Sequence, residues 1–409
     1  MKITCAECHN EETWGTMGRC PRCGGILQPI YDDGEIAVLR DIVPGPGIDR
    51  YAGVLPVSHP LPTMGEGDTP LVMSRRMGRA LGLQQLYFKN EGRNPSGAFK
   101  DRAGVMVAGL ALEAGRKGLV TASSGNSAAA ASAYCAAAGL RCLILLEPGN
   151  PPAKLRQTLA TGALVLPVEG VFSHGPDATR DLIMDVARLL DFYPAFVWAP
   201  VNPYALEGIK TISYEVAARL PGPPDAVVCP VGGGDMLAAQ WRGYLELQRA
   251  GVIDRLPRMI AVQSVSASPL LDAYRAGADR VGAIEHPHSR LSGINVPFTG
   301  EHALAAVRAS GGTVVGITDD EAFAMQAALA REEGVWAEPA SSAPLAALPR
   351  LLEDGLLDPG ERTVCLLSGA GWKDAELARE EAEAANRSDA VVFDAEAVAQ
   401  AAQVRLAQS

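Results

Sequence analysis

No stretch of the 409-residue chain reaches the ~18 uninterrupted apolar residues that a membrane-crossing helix needs. The opening MKITCAECHN also lacks the apolar core of a secretory leader. Basic residues are in the minority, 36 Lys and Arg against 47 Asp and Glu. A broad nucleic-acid surface or an anionic membrane face is therefore not the expected partner, although one pocket can still take a small anion. Internal repeats and long low-complexity tracts are missing as well. What remains is a globular chain, 48% apolar and 20% charged, expected in the cytoplasm and long enough for two or three domains.

Cysteine is sparse and unevenly placed. Four of the eight fall in CAECHNEETWGTMGRCPRCGG, as Cys5 and Cys8 and then Cys20 and Cys23. Each pair is separated by two residues, so a tight turn can offer both thiolates to one ion, and two such turns complete a tetrahedral zinc shell. Disulfides are disfavoured in a reducing compartment, and an iron site would share the geometry. With four sulfurs available, His9 is a bystander. The others, Cys135, Cys142, Cys229 and Cys365, lie in apolar or alanine-rich runs and read as small buried residues. Residues 1–40 are accordingly a zinc-ribbon-like module, and 41–83, rich in Pro and Gly, form a linker and the start of a large domain.

From about residue 84 short apolar runs alternate with helical stretches: GLVTAS, RCLILL, ALVLPV, AFVWAP, DAVVCP, RMIAVQ, GTVVGI and RTVCLLS. Buried strands between helices imply a mostly parallel α/β sheet, and such sheets bind ligands beyond the carboxyl ends of their strands. Four segments sit where a strand becomes a loop or a helix begins. In GRNPSGAFKDRAG the turn Asn94-Pro95-Ser96-Gly97 precedes a helix that starts near Lys100. In VVCPVGGGDMLAAQ, Gly232, Gly233 and Gly234 lead into a helix, which suits an anion. Neither a Gly-Lys-Ser/Thr sequence nor spaced dinucleotide glycines occur there. In LVTASSGNSAAAASAYC, Ser123, Ser124, Gly125, Asn126 and Ser127 begin an alanine-rich helix, where they could act as an N-cap or hold a carboxylate. RTVCLLSGAGWKD delivers Ser368. The charged, alanine-rich tail, 375–409, reads as one or two helices, the last capped by Asp394.

A lysine at a helix start, an anion nest, an asparagine loop and a strand-end serine are the parts that hold pyridoxal phosphate. NPSGAFKDR, SSGNSAAAASAYCAAAG and PVGGGDMLAA, together with VNPYALEGIKTISYEV, AKLRQTLATGA and GVWAEPASSAPLAAL, resemble the threonine synthase group of the tryptophan synthase β-type pyridoxal-phosphate enzymes. The resemblance covers most of the chain. It implies two open, mostly parallel-sheet α/β domains of fold type II, a large one from 84–116 and 200–374 and a small one from 117–199, behind the zinc ribbon.

By the same resemblance Lys100 is the Schiff-base lysine and later the base at the substrate α carbon. Asn126 faces the cofactor's phenolic oxygen. Backbone groups of Gly232, Gly233, Gly234, Asp235 and Met236 hold its phosphate, and Ser368 accepts from or donates to its ring nitrogen. A neutral hydroxyl at that place does not enforce a protonated ring, which favours elimination and replacement chemistry. Ser123, Ser124, Gly125 and Ser127 are expected near the substrate carboxylate, and Lys154 and Lys210 near its phosphate. Phe99 packs beside the lysine, while Asp101 and Arg102 make structural pairs. The implied reaction converts O-phosphohomoserine and water to threonine and phosphate in a homodimer, with structural zinc.

Departures from the group cluster near substrate: Gly233 and Met236 in the glycine loop, Arg156, the segment SRLSGINVPFTG, and Ala370 and Trp372. A β-replacing or β-eliminating enzyme acting on phosphoserine, serine or threonine is the alternative of the same chemistry. A zinc-ribbon binding protein on an α/β scaffold and a cofactor-free nucleotide-binding regulator are the alternatives from other classes.

Overall fold

The computed structural model describes residues 1–41, 43, 45–149, 152–172, 174–374 and 395–406, with side chains at 152–154, 397, 401, 405 and 406 outside that description. Residues Met1–Lys373 form one compact unit and Asp374–Ser409 another. In the second, a helix spans Ala395–Leu406, whereas Asp394 and the rest of 375–394 lie outside the described residues.

The amino terminus is a small antiparallel sheet. Its central strand β1, Lys2–Cys5, pairs with β2, Glu11–Glu12, and β3, Leu27–Ile30. After it come β4 (Leu71–Met73) and β5 (Gln85–Asn90). Next are β6 (Gly118–Ala122), β7 (Arg141–Leu146), β8 (Leu164–Pro167) and β9 (Tyr193–Pro194). The last four are β10 (Ala226–Pro230), β11 (Arg258–Ser264), β12 (Val314–Ile317) and β13 (Arg362–Leu367). They assemble into a six-stranded sheet, β12-β11-β10-β13-β5-β4, and a four-stranded one, β8-β7-β6-β9. Every pairing in the two is parallel except that of β4, which runs antiparallel on the edge with Leu71 opposite Lys89. Parallel strands covered on both faces can be apolar throughout, and all five residues of β10 are buried.

One expectation changes. AFVWAP is not a strand: β9 ends at Pro194, and residues 195–200 turn back on themselves through Trp198 N–H to the Phe196 carbonyl. Proline supplies no ladder donor, and Pro194 and Pro200 bracket the run. The strand β5, QLYFKN, carries a lysine inside the sheet because Lys89 finds buried partners.

Those partners anchor the helix Lys100–Glu113. Arg102 makes bidentate contacts with Glu91, at 2.7 and 2.9 Å, and with Glu215, at 2.5 and 2.7 Å, and a further bond to Thr211 Oγ1 at 2.8 Å. Lys89 Nζ donates to Glu215 Oε2 at 2.5 Å and to the Thr69 carbonyl at 2.7 Å. All four charged side chains are buried. The helix Ala205–Arg219 can bring Glu215 there only because Gly208 has no side chain: a Cβ would stand 1.9 Å from the Arg102 carbonyl oxygen.

Removing one partner from such a cluster strands its carboxylates in the interior. Arg102→Leu is expected to lower the unfolding free energy by roughly 3–5 kcal/mol in urea titration. A loss below about 1 kcal/mol, the range of an exposed pair, would contradict this. Burial alone would raise Glu215, but Arg102 and Lys89 hold it at about 2, against its ordinary 4.5. Its folded value lies below its unfolded one, so its stabilisation is complete above about 4.5 and fades as pH falls toward about 2. Arg102→Leu should flatten that acid limb.

Candidate active site

The turn before Lys100 is stitched to the loop after β13. Phe99 N–H donates to the Ser368 carbonyl and Ala370 N–H to the Gly97 carbonyl, each at 2.9 Å, around a bridge between Ala98 and Gly369. Asp101 closes the turn from the helix side by accepting from Ser96 N–H at 2.7 Å and from the Ser96 hydroxyl. Lys100, half-buried at the helix start, has its Nζ 4.9 Å from the Phe99 ring centroid. Burial pushes its amine below the usual lysine range, against the attraction of the Asp235 carboxylate. An amine so placed is a nucleophile and a base at a lower pH than a surface lysine.

A third loop joins these two. Ala337 bridges Ala370, and Glu338 N–H donates to the Gly369 carbonyl at 2.9 Å. The carboxylate of Glu338, 3% exposed, accepts from Asn126 Nδ2 at 3.0 Å and from Ser368 Oγ at 2.8 Å. Asn126 opens the helix Asn126–Ala138, with Ser123, Ser124 and Ser127 half-buried beside it and Gly125 exposed. Lys100, Asn126 and Ser368, separated by hundreds of residues or by whole elements, thus share one site with Glu338. Motif reading misses Glu338 although it stands within GVWAEPASSAPLAAL. An acid just before a proline that starts a helix, inside an apolar run, is the signal that could have found it.

The glycine turn after β10 completes the constellation. Gly234 has φ +96°, a backbone that side chains rarely adopt, and a Cβ there would stand 2.6 Å from Ala303 Cβ. Among the described residues, the N–H groups of Gly232, Gly233 and Gly234 make no hydrogen bond, and the helix Asp235–Arg249 begins immediately after them. The Asp235 carboxylate is engaged elsewhere, accepting from Ala199 N–H at 2.9 Å and lying 3.1 Å from His302 Nε2. Met236 is buried. The segment 289–300 forms the outer wall: Thr299 Oγ1 donates to the Gly232 carbonyl at 2.7 Å, and Gly300 N–H donates to the Gly233 carbonyl at 3.0 Å.

Lys210 is not part of this assembly. It is fully buried, with Nζ 2.7 Å from Glu207 and 2.9 Å from Glu246, and 4.1 Å from the Tyr31 ring centroid. Two carboxylates and an aromatic face already neutralise it, so it is withdrawn as a ligand for substrate phosphate. The Lys154 side chain lies outside the described residues, and Arg156 is exposed. Trp372 lies over the turn, where a Cβ on Gly97 would stand 2.3 Å from its ring.

The four ribbon cysteines come together as well. Their sulfurs all lie within 4.8 Å of one another, with Cys5 and Cys23 at 3.5 Å and Cys8 and Cys20 at 3.8 Å. The remaining four cysteines are buried.

Residues 62–369 match the family model described as pyridoxal-phosphate dependent enzyme. The chain belongs to that family. It is 36% identical over 370 residues to the threonine synthase of Methanocaldococcus jannaschii, covering 87% of this chain and 89% of that protein. It is also 36% identical to the threonine synthase of Methanosarcina acetivorans, covering 91% and 92%. Among solved structures it resembles the threonine deaminase of T.th., with TM-score 0.62, 25% identity and coverage of 74% of this chain and 92% of that one. Maize serine racemase shares the fold, with TM-score 0.63, 20% identity and coverage of 76% and 93%.

The residues present fit the family's cofactor. Its phosphate needs donors, and the glycine turn offers free N–H groups at the positive end of a helix. Beside them Trp198, 3% exposed, has an indole N–H without a partner among the described residues. The edge of the indole that carries this N–H faces the turn: a Cβ on Gly233 would stand 3.5 Å from Trp198 Cδ1 and 4.0 Å from Nε1. A buried donor left unpaired is costly, and an anion in the turn would satisfy it.

Proposed function

We propose that this chain is a threonine synthase, a pyridoxal-phosphate-dependent lyase that converts O-phosphohomoserine and water to threonine and phosphate. The observation that carries the reading is the convergence of Lys100, Asn126, Ser368 and the glycine turn, in a chain 36% identical to threonine synthases over nearly its whole length. Lys100 would hold the cofactor covalently, Asn126 would face its phenolic oxygen, Ser368 its ring nitrogen, and the turn Gly232–Met236 its phosphate. When bound, the cofactor supplies an aldehyde that amines join and a ring that draws electrons from the substrate α carbon.

The chain's own groups then divide the work. Lys100 Nζ, kept from its full basicity by burial, takes the α proton and is placed to return one. Loss of the α and β protons expels phosphate from the γ carbon. Protons return to the substrate, water adds at the β carbon, and the sum is threonine and phosphate. Ser123, Ser124, Gly125 and Ser127, at one helix start, would orient the substrate carboxylate. Lys154 is the remaining lysine candidate for the substrate phosphate.

The ribbon would hold zinc. A tetrahedral ion with ~2.3 Å sulfur bonds spaces its thiolates about 3.8 Å apart; two of the sulfur pairs stand at 3.5 and 3.8 Å, and all four sulfurs lie within 4.8 Å of one another. Its position argues for a structural role. Gly18 N–H donates to the Val201 carbonyl at 3.0 Å, Tyr204 Oη donates to the Thr16 carbonyl at 3.0 Å, and Trp14 packs edge-on against Tyr204. These contacts support the loop that carries Trp198.

Two experiments test these assignments. In a turnover panel the protein should release phosphate with threonine from O-phosphohomoserine. Lys100→Ala should lose more than about 10³-fold of that rate while melting normally. A keto acid and ammonia from serine or threonine, with O-phosphohomoserine untouched, would replace the assignment by a dehydratase. Complete metal removal by a chelator should lower the melting temperature while the protein that remains folded keeps its turnover. An unchanged melting curve would remove the structural zinc.

A further inference from the structure

The pairing of Glu338 with Ser368 decides what the serine can offer. A hydroxyl has one proton, and an ionised carboxylate only accepts. Glu338 immediately precedes Pro339–Glu353, a helix of 15 residues with proline at its start, and the positive end of a helix favours a negative charge there. Both carboxylate oxygens take donors, Oε2 from Asn126 Nδ2 at 3.0 Å and Oε1 from Ser368 Oγ at 2.8 Å. The Ser368 proton is thereby committed. Ser341 Oγ, 3.0 Å away, also accepts from Gly369 N–H at 2.8 Å and can donate to the Gly369 carbonyl at 3.2 Å; were it to take the Ser368 proton instead, the buried Glu338 carboxylate would lose a donor, and the ring nitrogen would still gain none. The pair is also tightly enclosed, since a Cβ on Gly369 would stand 2.6 Å from Glu338 Cδ.

We propose that Glu338 is a positioning residue that fixes Ser368 as a hydrogen-bond acceptor and so holds the ring nitrogen of the bound cofactor protonated. The inference rests on the reading that this site holds pyridoxal phosphate. It reverses what Ser368 suggests alone, because a neutral hydroxyl free to donate would leave the ring nitrogen bare. With its proton given to Glu338, Ser368 can meet only a nitrogen that carries a hydrogen. The positive ring and the Glu338 charge then compensate one another across the hydroxyl, in an interior where such attraction is strong. A protonated ring draws electrons from the α carbon more strongly than a bare one.

The test uses holoenzyme carrying pyridoxal phosphate isotopically labelled at the ring nitrogen, read by nitrogen NMR. Wild-type protein should show the upfield resonance of a protonated pyridine nitrogen. In Glu338→Gln the amide oxygen must turn to Asn126, so the amide N–H donates to Ser368 and frees the serine proton for the ring. The resonance should then move downfield to the unprotonated position. Glu338→Ala should give the same shift, with melting curves and retained cofactor showing that each variant is folded and loaded. A downfield wild-type resonance overturns the proposal whatever the variants do, and so does an upfield one that survives both substitutions in loaded protein. Wild-type protein that retains no labelled cofactor sinks the cofactor reading itself and this inference with it.

Discussion

The site depends on two backbone hydrogen bonds that clasp the turn before Lys100 to the loop after β13. Phe99 N–H to the Ser368 carbonyl and Ala370 N–H to the Gly97 carbonyl set the lysine opposite the serine, whatever side chains surround them. Backbone pairing is insensitive to side-chain identity, and it is reinforced from below by the Asp101 contacts with Ser96. The remaining elements are placed relative to this clasp. Glu338 is hung from Gly369, Asn126 from Glu338, and Gly293 stands between Glu338 and the glycine turn. A Cβ on Gly293 would lie 3.0 Å from Ala340 Cβ, and one on Gly232 would lie 3.3 Å from the Gly293 carbonyl oxygen.

Below the clasp the protein spends its polarity on rigidity. The Arg102 cluster ties the Lys100 helix to Ala205–Arg219 and to the end of β5. A second buried cation, Lys210, ties that helix to Asp235–Arg249 through Glu246 and to Tyr31 beyond β3. The Lys100 and glycine-turn helices are therefore fixed to one intermediate helix by fully paired charges. Such pairs contribute little net stability against a hydrophobic isostere, and their value here lies in geometry: they set where the amine stands relative to the anion-binding turn.

What was legible in the sequence was local. A turn ending in a helix at Lys100, three glycines before a helix, and a serine at a strand end are each written in consecutive residues, and the parallel sheets follow from apolar runs spaced by helices. The misreadings were matters of distant partners. Lys210 looked like a free cation because Glu246 and Tyr31 lie far from it in the chain. AFVWAP carried a strand's composition, but its prolines end the ladder, and the freed segment brings Trp198 to the glycine turn. Glu338 escaped notice because its function lies in what it accepts, from two residues more than two hundred positions and thirty positions away.

The central claim is that the clasp presents Lys100, and no other amine, to the cofactor's aldehyde. Borohydride reduction of the holoenzyme followed by peptide mass mapping tests it most directly. The account predicts one reduced cofactor on the peptide containing Lys100. A reduced cofactor on any other lysine, or none on protein that had retained it, would contradict the account.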